Sequence, residues 1–103
     1  MEEFRIEKYI PFGSKNAISR LELHNATGLS DRELRNEICE ARRERGCCII
    51  NLGEGYFHPT IEEYEQIRTY IAKEKSRAVS IFEGLKPLEA FLADIERGAF
   101  KDE

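Results

Sequence analysis

Leu34, Ile38 and Ala41 are apolar positions in a stretch otherwise crowded with Arg and Glu. Their three- and four-residue spacing is that of one face of a helix. At about 100° per residue, Ile38 and Ala41 fall within roughly 40° of Leu34. Arg32, Asn36, Cys39 and Arg43 then lie on the far side, with Arg35 and Arg42 on one flank and Glu33, Glu37, Glu40 and Glu44 on the other. The start of this helix is marked three times over. Ser30 can cap it, and Glu33 three residues on can complete a capping box. Leu29 and Leu34 have the spacing of a hydrophobic staple. Gly28 suits a sharp left-handed turn just before.

Upstream, Phe4, Ile6, Tyr9 and Ile10 suggest a short helix or turn closed by Pro11 and Gly13, with Pro11 to Ser14 a loop. Ala17-Ile18 reads as a very short extended piece. Ser19-x-x-Glu22 is another capping box, so a helix is predicted from Ser19 to Thr27. Leu23, Ala26 and Thr27 make its packing stripe, while Leu21 points the other way, toward the first segment or a partner. After Gly46 the period changes to two. Cys47 to Leu52, a glycine-rich connection and Tyr56 to His58 predict a hairpin, with Ile18 adding a small third strand. Two helices joined by a tight turn and followed by a hairpin make a winged helix. Its wing tip carries Glu54 and no Lys or Arg, so the helix would do most of any reading.

Beyond Pro59, the Thr60–Glu63 pair opens a third helix of about 24 residues, to Gly84. Tyr64, Ile67, Ile71, Ala78, Ile81 and Leu85 recur along it at three- and four-residue spacing, interrupted by Glu74. Pro87 is expected to break or kink it. A short last helix would then carry Leu88, Phe91, Leu92 and Ile95, with a frayed tail from Gly98 to Glu103. The expected fold is therefore mainly α with a small β-hairpin wing (α+β). A winged helix-turn-helix domain over 1–58 precedes a C-terminal helical extension over 59–103. The stripe from Tyr64 to Leu85, together with Phe91 and Leu92, is longer than a compact head needs to cover. It predicts a homodimer, with a fold-back of the last helix as the monomeric alternative.

At 103 residues the chain is one small domain with one modest core. No apolar run approaches the roughly 18 residues of a membrane span, and the expected location is cytoplasmic. The three cysteines, Cys39, Cys47 and Cys48, have no disulfide-framework spacing and are read as reduced thiols. Adjacent Cys47-Cys48 is not the two-spaced pair of a zinc site, so no metal and no other cofactor is expected. His24 and His58 have no nucleophile at a motif spacing, and no phosphate loop or dinucleotide fingerprint is present. An enzyme is not expected. The net charge of −4 opposes nucleic-acid affinity, yet Ser14 to His58 carries seven Lys/Arg against seven Asp/Glu. The acidity lies mostly outside the reading head.

Ile10-Pro11-x-Gly13-x-x-Asn16-Ala17-Ile18-Ser19, then Gly28-Leu29-Ser30-Asp31-Arg32-x-Leu34-Arg35, Ala41-Arg42 and Gly55-Tyr56-Phe57 form a set. Over roughly residues 9 to 58 it resembles small winged helix-turn-helix proteins of phages and prophages of Gram-positive bacteria. The resemblance implies DNA binding in phage gene control or replication, and a long helix after the wing. Residue chemistry points the same way, toward sequence-specific binding of double-stranded DNA. Arg32, Arg35, Asn36 and Arg43 would reach base edges, and Lys15, Arg20 and Arg42 would hold phosphates. The competing class is a protein-interaction module whose acidic surface excludes DNA.

Overall fold

A computed structural model describes residues 3–100. It is mainly helical (67%), with a small two-stranded antiparallel sheet and a long C-terminal helix. The chain divides into two compact units, one up to Tyr70 and one from Ile71 onward.

The first unit opens with a 3-10 helix, Ile6–Tyr9, and a second, Ser14–Asn16. Helix α1 spans Arg20–Thr27 and α2 spans Asp31–Arg45. Both begin with the reciprocal Ser–Glu capping boxes that the sequence spells out, through Ser19 with Glu22 and Ser30 with Glu33. Both end on a left-handed glycine, Gly28 at φ 78° and Gly46 at φ 64°. Strands β1 (Ile50–Asn51) and β2 (Tyr56–Phe57) pair Ile50 with Phe57 and Asn51 with Tyr56. Asn51 shapes their connection, its Oδ1 accepting from the Gly53 amide at 2.7 Å and the Gly55 amide at 3.4 Å. Ile18 adds a single antiparallel bridge to Tyr56, through two backbone bonds of 2.9 and 2.8 Å.

Ile6, Ile10, Leu23, Leu34, Ile38, Ala41 and Ile49 form the core, with Ile18, Leu29, Cys47 and Tyr56 packed against it. The three residues of the α2 stripe are thus buried together. Other expectations fail locally. Ala26 is exposed, leaving Leu23 as the buried residue of α1, and Leu21 is 68% exposed. The run from Cys47 is not strand until Ile50, because Gly46 first has to turn the chain back from α2. Cys48 is exposed and Cys47 half-buried, with burial pushing the Cys47 thiol pKa up. Pro11 to Gly13 is more than a loop. His58 donates its amide to the Pro11 carbonyl at 2.8 Å and accepts from the Gly13 amide at 2.9 Å. The Phe12 and His58 rings stack at 4.6 Å.

After a 3-10 turn at Ile61–Glu63, helix α3 runs unbroken from Tyr64 to Glu96. Pro87 lies inside it, which removes the expected break and the separate last helix. Pro87 lacks the amide that would bond the Glu83 carbonyl, but both residues are exposed, so water can serve that oxygen. None of the residues of α3 is buried. The expected frayed tail is described to Phe100, within a turn at 97–100, and 101–103 lie outside the described residues.

Candidate nucleic-acid interface

Helix α2 has one face in the core and one in solvent. Leu34, Ile38 and Ala41 are at most 2% exposed, whereas Arg32, Arg35, Asn36 and Arg43 are all exposed. Asn36, Cys39 and Arg43 share one shallow depression along the outer ridge, flanked by Glu40 and Glu44. Arg43 reaches Glu44 at 3.8 Å and the Cys39 sulfur at 3.9 Å, contacts loose enough to be exchanged for a ligand.

The approach of α1 to α2 is set locally. Gly28 donates its amide to the His24 carbonyl at 2.7 Å, and His24 Nδ1 bonds the Leu29 carbonyl at 2.7 Å. The Thr27 hydroxyl donates to the Leu23 carbonyl at 2.7 Å and accepts from the Leu29 amide at 3.2 Å. His24 stays exposed and uses its ring to hold the turn.

The three residues assigned to phosphates part company. Lys15 is exposed on the second 3-10 helix, beside hollows lined by Phe12, Glu63 and Gln66. Arg20 is exposed at the start of α1, and its Nε lies 3.5 Å from Asp31. An open groove there runs from Arg20 and Asp31 to the hairpin tip at Glu54. Arg42 turns inward. Its Nε and Nη2 donate to the Ile49 carbonyl at 3.0 and 2.8 Å, and its guanidinium lies 5.6 Å from the centre of the Tyr70 ring. It serves as a strut between α2, the hairpin and the start of α3, and it drops out of the phosphate set.

A second strut is absent from the sequence reading. Arg45 donates to both oxygens of Glu7, at 2.6 and 2.9 Å, with both side chains mostly sheltered. The bidentate guanidinium holds the Glu7 carboxyl down at about 2. Nothing local signals a pair separated by 38 positions. Glu63 is also held at about 2, first by Ser14, whose amide it accepts at 2.7 Å, and then by the Thr60 amide.

No group of three or more His, Cys, Asp or Glu side chains suited to a metal occurs among the described residues. No described helix is long and apolar enough to cross a membrane. No family model, curated protein or solved structure matches the chain.

Proposed function

We propose that this chain binds double-stranded DNA sequence-specifically as a winged helix-turn-helix, with α2 as the reading helix. The observation that carries the reading is the two-sided character of α2. Its inner face is locked by Leu34, Ile38 and Ala41, while Arg32, Arg35, Asn36 and Arg43 project into solvent. Arginine offers two donors to guanine and asparagine a matched pair to adenine, so a rigid helix bearing both can discriminate base pairs. Lys15 and Arg20 supply phosphate contacts. The hairpin with its Ile18 bridge is a short wing whose acidic tip leaves most of the reading to α2. By its resemblance to phage and prophage proteins, the biological role is in gene control or replication.

Selection of bound sites from random duplexes, followed by a salt titration, tests the reading. Affinity for the selected site should fall steeply with salt. Arg32→Ala with Asn36→Ala should abolish preference for that site, each base contact being worth about 1–3 kcal/mol. Melting should barely move, since exposed truncations cost less than about 0.5 kcal/mol. The second reading, a protein-interaction module, is favoured by Asp31 and Glu54 lining the groove with Arg20 and by the net charge of −4. Absence of binding to any duplex at low salt would establish it over the first.

A further inference from the structure

Continuity of α3 through Pro87 joins two apolar stripes into one. Tyr64, Ile71, Ala78, Leu85 and Leu92 recur every seven residues, and Ile67, Glu74, Ile81, Leu88 and Ile95 recur three places later. This is an a/d heptad seam sustained along nearly the whole helix. Pro87 and Glu83 fall at c and f, away from the seam. A seven-residue repeat drifts by about 20° per heptad on a straight helix, so it stays in line only against a supercoiled partner. From Ile71 to Ile95 the large seam residues are between 42% and 63% exposed.

The edge of the seam identifies the partner. Position e carries Arg68 and Lys75 in the first half, Phe82 in the middle, and Glu89 and Glu96 in the second half. Such a helix is complementary in charge to its own reverse. We infer that α3 pairs with α3 of a second copy as an antiparallel coiled coil, with the two-fold axis beside residue 83. Ile71 then faces Ile95 of the partner subunit, Ala78 faces Leu88 of the partner subunit, and Ile81 faces Leu85 of the partner subunit. Along the edge, Lys75 meets the partner's Glu89, Arg68 meets the partner's Glu96, and Phe82 meets its own copy. The parallel arrangement is disfavoured by the same residues. It would set Glu74 against Glu74 in the seam, and its g-to-e neighbours, such as Tyr70 with Lys75 and Arg77 with Phe82, include no opposite charges. In the antiparallel register Glu74 faces an apolar side chain and keeps Arg77 of its own helix, 3.2 Å away.

Sedimentation equilibrium of the full chain, without nucleic acid, tests this independently of the DNA reading. The wild type should dimerise. Lys75→Glu and Glu89→Lys should each weaken the dimer on the order of tenfold, because each turns two attractive pairs into repulsive ones. The double variant should restore it, and an equimolar mixture of the two single variants should form the mixed dimer. A monomer at tens of micromolar overturns the inference. So does a dimer indifferent to either single change, or a double variant as weak as the singles.

Discussion

Gly28 and Gly55 are both in left-handed backbone, but a methyl group would meet different surroundings at each. At Gly28, φ 78°, a Cβ meets no atom within 4 Å, so only backbone strain resists substitution. At Gly55, φ 135°, it would lie 2.6 Å from the Ile18 carbonyl oxygen, part of the bridge to Tyr56. Gly28→Ala should therefore cost about 1 kcal/mol, and Gly28→Asn less. Gly55→Ala should cost about 2–4 kcal/mol, since strain and a backbone clash combine. Urea denaturation of the three variants checks the order, and equal losses at the two positions would contradict it. Glu7 gives a prediction in pH. Its folded pKa, about 2, lies below the ordinary 4.5. Unfolding therefore takes up a proton between these values, and the stabilisation, full above 4.5, is lost as pH falls toward 2. Glu7→Gln should lower stability at neutral pH by about 1.5–3 kcal/mol and flatten that acid limb. Denaturant midpoints from pH 7 down to the acid transition would show it.

Helices α1 and α2 were legible because their signals are local. Ser19 with Glu22, Ser30 with Glu33, and Gly28 and Gly46 fix their ends within a few residues of chain, and the Leu34–Ile38–Ala41 spacing fixes the buried face of α2. The exposed ridge followed from the same wheel. Long-range partners did not show. Arg42 belongs to the arginine-rich flank of α2 by position, but the Ile49 carbonyl and the Tyr70 ring draw it inward. Pro87 misled for a different reason. A mid-helix proline loses one amide bond and crowds the carbonyl four residues back, which kinks a helix as readily as it ends one, and on an exposed helix water can serve the freed carbonyl. The proline still burdens α3. Pro87→Ala should raise far-ultraviolet helical signal and slow amide exchange at residues 84–91, by up to about 3 kcal/mol locally. Unchanged protection would mean that the helix does not feel its proline.

Every residue of the core precedes Phe57 or is Phe57 itself, and α3 has no buried residue. A chain ending at Tyr70 should thus keep cooperative melting within a few degrees of the full protein, while losing self-association. Loss of cooperative folding would place part of the stability beyond Tyr70. Within the first unit, the segment from Glu7 to Ser14 makes its ties at a distance: Glu7 to Arg45, its carbonyl to the His58 ring at 2.9 Å, Pro11 and Gly13 to His58, and Ser14 to Glu63. On a ribosome this segment emerges before its partners and can be fastened only after them. The capped helices can form as soon as they leave the tunnel, because their contacts are near in sequence. Residues 11–14 have to wait until His58 and Glu63 have been added, so a late-made part of the unit ties an early-made part in place.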